Sequence, residues 1–143
     1  MKYLFIVILI LTSCKSDYYN HYDIDNKVDE LLSEMTLEEK VGQMAQVNLT
    51  VVAKGPSKWK STFPLEVDPK RVKRAIVQYN IGSVLNTINT TALTKEIWYK
   101  TISDIQKYAI DSTRMKIPII YGIDAIHGTT YTDGATMFPQ QIT

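Results

Sequence analysis

Apolar residues recur at helical spacing from residue 24 onward. Ile24, Val28, Leu31, Leu32 and Met35 follow one another at steps of three, four and one, which lays a single stripe along a helix. Thr36-Leu37-Glu38-Glu39 then reads as a capping box, Thr36 being the N-cap and Glu39 the reciprocal acceptor. In the helix it opens, Leu37, Val41, Met44 and Ala45 share one face, and Met35 and Met44 read as core packing. The period is lost over residues 47–67. Gly55-Pro56-Ser57 is a turn signal and Phe63-Pro64 an extended break, with Trp59 and Phe63 expected to cover a neighbouring element. Asp68-Pro69 supplies an N-cap and a first-turn proline for a third helix, whose buried stripe is expected to be Val72, Ala75, Ile76 and Tyr79. Ser83-Val84-Leu85-Asn86 is a short β run. Thr94 opens another helix, with Trp98, Ile102, Ile105 and Ala109 on one side. Ile117 to Ile123 is a second β run, ending at Asp124.

Strands alternating with helices predict an α/β fold with a parallel sheet. Two strands are too few to close it. A (β/α)8 barrel takes about 250 residues, so 143 residues are expected to hold only its beginning. Nothing resembling a helix follows the second β run, and no internal repeat is present.

The first residues obey a different logic. Met1-Lys2 is followed by an apolar run from Tyr3 to Leu11, too short for a spanning helix, which needs about 20 residues. It suits the apolar region of a secretory signal peptide. Leu11-Thr12-Ser13-Cys14 matches the bacterial lipobox, in which small residues precede a cysteine that is lipidated and becomes the mature N-terminus. Cys14 is the only cysteine, so it has no disulfide partner in the chain. The expected organisation is a lipoprotein signal peptide over 1–13, a polar tether over 14–23 and a domain over 24–143. The expected location is the bacterial cell envelope, periplasmic or surface-exposed, with the protein held to the membrane by the lipid on Cys14.

Composition narrows the partners. Apolar residues make up 45% and charged residues 22%, as in a globular protein, and the formal net charge is +1. The one concentrated basic run, Lys70-Arg71-Val72-Lys73-Arg74, reads as a solvated helix face, so no nucleic-acid partner is expected.

The candidate chemistry lies between Ile117 and Gln140. A buried strand delivers the Asp124 carboxylate at its C-terminal end, flanked by Gly122 and Gly128, and that end of an α/β sheet is where ligands bind. A carboxylate there can accept two hydrogen bonds from vicinal sugar hydroxyls. The competing reading is that Asp124 caps the following turn. His127 lies three residues on, but two ligands do not make a metal site, and it reads as a structural histidine. Asp133 reads as a loop residue beside Gly134.

Taken in order, Gly122-Ile-Asp-Ala-Ile-His-Gly128 and Gly134-Ala-Thr-Met-Phe-Pro-Gln140 resemble the N-terminal barrel region of family 3 glycoside hydrolases, the family of many β-glucosidases. Met35 to Met44 and Ile81 to Asn86 resemble that family's opening helix and first barrel strand. The resemblance implies that Asp124 binds sugar hydroxyls where the bond breaks, with His127 and Gly128 supporting the site. It implies a retaining mechanism, a β-linked glucoside or oligosaccharide as substrate, and neither metal nor organic cofactor. It places the nucleophile and the acid/base downstream, so no catalytic residue is expected within this chain. The same resemblance leaves room for a β-N-acetylhexosaminidase, ranked lower because those members depart from the Ile-Asp-Ala-Ile-His-Gly pattern. From another class comes a non-catalytic, lipid-anchored sugar-binding lipoprotein or an inactive remnant.

Overall fold

The computed structural model describes residues 21–57, 60–88 and 91–139. The signal peptide, Cys14 and Trp59 lie outside them. The chain divides into two units, Met1–Glu34 and Met35–Thr143. In the first, helix α1 (His21–Glu34) begins three residues earlier than its apolar stripe. Asp23 and Lys27 pair one turn apart on it, at 2.7 Å. The stripe residues Ile24, Val28, Leu31 and Leu32 remain exposed.

The second unit is a mixed α/β arrangement built on three parallel strands, β1 (Gln46–Asn48), β2 (Ser83–Leu85) and β3 (Ile120–Gly122), in the order β1-β2-β3. Two strands were expected, and β1 is the correction. It is three residues long, and only Val47 of Gln46-Val47-Asn48 turns inward, so it has no hydrophobic run to announce it. The register pairs Val47 with Val84 and Val84 with Tyr121. Val84 is fully buried, and so are Leu49, Val52, Val72, Ile76 and Ile105, which close around the sheet. β3 is shorter than its apolar run. Pro118 has no N–H to donate, and Ile119 takes its partners from a helix instead. Its N–H donates to Gln106 Oε1 (3.0 Å) and its carbonyl accepts from Gln106 Nε2 (2.5 Å).

The helix caps stand where local chemistry puts them. Glu39 N–H donates to Thr36 Oγ1 (3.2 Å) and Thr36 N–H to Glu39 Oε2 (2.9 Å), closing the box that opens α2 (Leu37–Gln43). Asp68 accepts from the amides of Lys70 and Arg71 at the start of α3 (Pro69–Val72), which continues as a π-helical segment over Lys73–Gln78. Thr94 caps α4 (Lys95–Ser112), which buries Trp98, Thr101, Ile105 and Ala109. The basic run on α3 stays largely in solvent, except that Arg71 reaches back to the carbonyl of Ala53 at 2.8 Å.

Three packing expectations fail. Leu37 and Met44 are 71% and 80% exposed, because α2 meets the unit through its glycine and not through its apolar side chains. A Cβ on Gly42 would lie 2.3 Å from the carbonyl oxygen of Tyr79, and one on Gly82 would lie 2.1 Å from that of Gln43. The amide of Gly82 donates to the carbonyls of both Gly42 and Ala45, so backbone sits directly on backbone here. Tyr79 is 58% exposed, because the π turn bonds Tyr79 N–H to Arg74 O, five residues back, and carries the ring off the buried stripe. It stacks instead under the Arg74 guanidinium, 5.6 Å from the ring centre. Phe63, expected over a neighbouring element, is 77% exposed.

Glu39 does a second job. Arg114, just beyond α4, grips it with Nε on Oε1 (3.1 Å) and Nη2 on Oε2 (2.5 Å). The Arg114 bonds, with the Thr36 amide, hold the Glu39 carboxyl below its ordinary value of 4.5. A depressed carboxyl contributes stability above its unfolded pKa, and that contribution is lost as pH falls through the folded value. Glu39→Gln keeps the cap acceptor but not the charge. Its stability, followed by denaturant titration at a series of pH values, should fall less steeply than that of the unsubstituted protein below about pH 4.5. Gly82→Ala should cost about 3 kcal/mol or more in the same assay, since backbone rather than a flexible side chain must move.

Candidate functional site

Parallel strands β2 and β3 end side by side, and the residues just beyond them are cross-bonded. Asn86 N–H donates to the carbonyl of Gly122 at 2.7 Å. The Tyr121 hydroxyl donates to the carbonyl of Asn86 at 2.7 Å. The Asn86 side-chain amide donates through Nδ2 to Asp124 Oδ2, again at 2.7 Å. Asn86 has φ 69°, a left-handed backbone that asparagine tolerates better than most residues. That turn aims its side chain across to the neighbouring strand.

Asp124 itself is exposed. Among the described residues Asn86 is its hydrogen-bond partner, and no backbone N–H of the following turn donates to it. The carboxylate therefore faces outward with acceptor capacity to spare. A carboxylate only accepts, which forces Nδ2 of Asn86 toward it and turns Oδ1 inward. Asn86 Oδ1 is buried with no partner among the described residues, as is Thr87 Oγ1.

Tyr121 is braced from below. Its ring meets Trp98 of α4 edge-to-face, with centroids 5.9 Å apart and planes at 72°. Burial pushes its phenol well above the ordinary value, so it stays protonated and donates. Trp98 also donates from Nε1 to the carbonyl of Tyr131 (3.1 Å), in the loop that follows Asp124. That loop is held again by Leu93, whose N–H donates to Tyr131 O and whose carbonyl accepts from Asp133 N–H, both at 2.9 Å.

His127 and Gly128 enter through their main chains. The carbonyl of His127 accepts from Phe138 N–H at 2.9 Å, which folds the loop back on itself. Gly128 has φ 82°, and a Cβ there would lie 2.9 Å from both the Phe138 ring and the Thr136 carbonyl oxygen. Asp133 is an exposed loop residue, held by its backbone. No group of three His, Cys, Asp or Glu side chains that could hold a metal occurs among the described residues.

A cleft of about 470 Å³ opens elsewhere, between α4 and the segment around Glu66. Four of its charged side chains are paired, Lys54 with Glu66 at 2.6 Å and Lys100 with Asp104 at 2.5 Å, and it is lined as well by Lys107 and Asp111. Asp124, unlike these groups, stands at the C-terminal end of a parallel strand. The sequence pattern brought out Asp124 but missed Asn86, Tyr121 and Trp98. A strand-end asparagine is a weak signal until its neighbour strand is known.

Known proteins place the chain. Residues 36–143 match the description of the glycosyl hydrolase family 3 N-terminal domain. A lysosomal beta glucosidase of Dictyostelium discoideum is 34% identical over 122 residues, which cover 80% of this chain and 14% of that protein. Beta-glucosidase C of Emericella nidulans is 33% identical over 113 residues, covering 79% of this chain and 16% of its own. A periplasmic beta-glucosidase of Salmonella typhimurium is 27% identical over 116 residues, covering 80% and 11%. The chain thus spans between about one ninth and one sixth of the length of these relatives. By the match over residues 36–143, this chain belongs to glycosyl hydrolase family 3.

Proposed function

We propose that the chain supplies the first part of a (β/α)8 barrel in a retaining β-glucosidase, with Asp124 as a substrate-binding residue. One observation carries the proposal: the Asp124 carboxylate stands at the C-terminal end of a parallel strand, fixed through Oδ2 by Asn86 and otherwise open. In barrels of this kind ligands bind at the C-terminal ends of the strands. The order β1-β2-β3, each strand beside the next in sequence, supports the barrel reading. An ionised carboxylate makes charge-assisted hydrogen bonds to hydroxyls, and a pair of vicinal hydroxyls matches its two oxygens.

The chemistry follows the retaining scheme. Two carboxyl groups about 5–5.5 Å apart act as nucleophile and as acid then base. On this reading both lie outside residues 1–143. Asp124, supported by the loop through His127 and Gly128, holds the sugar whose glycosidic bond breaks. The scheme uses no metal and no organic cofactor. The substrate is a β-linked glucoside or oligosaccharide, in keeping with the relatives named as beta-glucosidases. The leader is removed after Ser13, Cys14 carries the lipid, and the domain sits in the bacterial envelope behind a short tether. No helix among the described residues is long and apolar enough to cross a membrane.

Asp124→Ala in the full-length protein should raise KM for an aryl β-glucoside and lower kcat. Losing one or two charge-assisted bonds should reduce kcat/KM about 10- to 100-fold. Unchanged kinetics would make Asp124 a turn residue. Residues 1–143 alone should release no aglycone from the same substrate, and turnover by the purified piece would refute the placement of both catalytic carboxyls beyond it.

A further inference from the structure

We infer that Asn86 is a positioning residue, whose side-chain amide sets the orientation of the Asp124 carboxylate toward the sugar. The inference rests on the reading of Asp124 as substrate-binding and names what that reading leaves open: why this carboxylate has one orientation. Asp124 is exposed, and no other described residue bonds its side chain. Left alone, its carboxyl would rotate freely and lose much of its value as a bidentate acceptor. Asn86 can prevent that because its own main chain is tied on both sides. Its N–H is bound to Gly122 O, and its carbonyl accepts from the Tyr121 hydroxyl. The side chain thus starts from a fixed point, and its amide polarity is dictated by the acceptor it meets. Occupation of Oδ2 leaves Oδ1 of Asp124 as the freer acceptor for a hydroxyl.

The simpler account is that Asn86 is present only because φ 69° suits it. Glycine would serve that turn equally well, and it would not supply the amide that meets Asp124 Oδ2. The two accounts separate in a double-mutant cycle on the full-length enzyme with an aryl β-glucoside. Asn86→Gly keeps the backbone and removes the amide. It should lower kcat/KM about 5- to 10-fold, with KM rising more than kcat falls, and should add nothing further when combined with Asp124→Ala. Multiplying effects, or an unimpaired Asn86→Gly beside an impaired Asp124→Ala, would overturn the inference and leave the substrate-binding reading standing. An unimpaired Asp124→Ala would overturn both.

A second variant covers the case in which Asn86→Gly does not fold. Asn86→Asp preserves shape but sets two carboxyls together, and like charges raise one of their pKa values. Once protonated, the new carboxyl can donate to Asp124 Oδ2 as the amide did. Its kcat/KM, divided by that of the unsubstituted enzyme at each pH, should therefore rise as pH falls. Among the described residues the titratable group bonded to Asn86, besides Asp124, is the Tyr121 phenol, which burial holds protonated. It is common to the two enzymes and cancels in the ratio. A ratio independent of pH would overturn the inference.

Discussion

Strand β2 is hydrogen-bonded to a parallel neighbour along both edges, and that position governs the rest of the second unit. A parallel strand inside a sheet must be covered on both faces, and Val84 is accordingly sealed among side chains from α3, α4 and the turn after β1. The ladder itself is short, three residues on each side, and parallel pairing is slightly the weaker kind per residue. Much of the cohesion therefore comes from outside the ladder. Glycine contacts seat α2 at one end of β2, and the Asn86 cross-bonds tie its other end to β3. Parallel direction also brings the strand ends out on one side, which is why two residues 38 positions apart share a hydrogen bond there.

Local chemistry was legible in the chain, and tertiary chemistry was not. Thr36, Asp68 and Thr94 were readable as caps because a cap is decided within four residues. The stripe of α4 was readable because Trp98, Ile105 and Ala109 follow the helical period and are buried by it. The face of α2 was misread because its seat is a glycine, which contributes nothing to a hydrophobic pattern. Tyr79 was misread because a π turn changes the period that the pattern assumes. β1 was missed because its pairing with β2 supplies what its three side chains do not. Asp124 could be found as a carboxylate at a strand end. Its partner could not, since that bond depends on which strands lie side by side.

The candidate site is braced from α4 as well as by its own loop. Trp98 braces the Tyr121 ring with its edge and holds the Tyr131 carbonyl with its indole N–H. One side chain thus touches the strand that carries Asp124 and the loop that follows it. The loop turns on Gly128 and Gly134, where φ is positive, and is stitched by main-chain bonds, so its path depends little on which exposed side chains it bears.

The Gln106 side chain on α4 takes the place of a missing strand neighbour, giving Ile119 both a donor and an acceptor. Few side chains can do that. Aspartate and glutamate cannot donate when ionised, lysine and arginine cannot accept, and asparagine is one methylene shorter. Glutamine at position 106 thus serves the backbone of β3, from a helix rather than from the strand ends beside Asp124. Across related sequences its invariance would record the upkeep of a backbone and not a chemical task, and a ranking of positions by invariance alone would mistake it for part of the site.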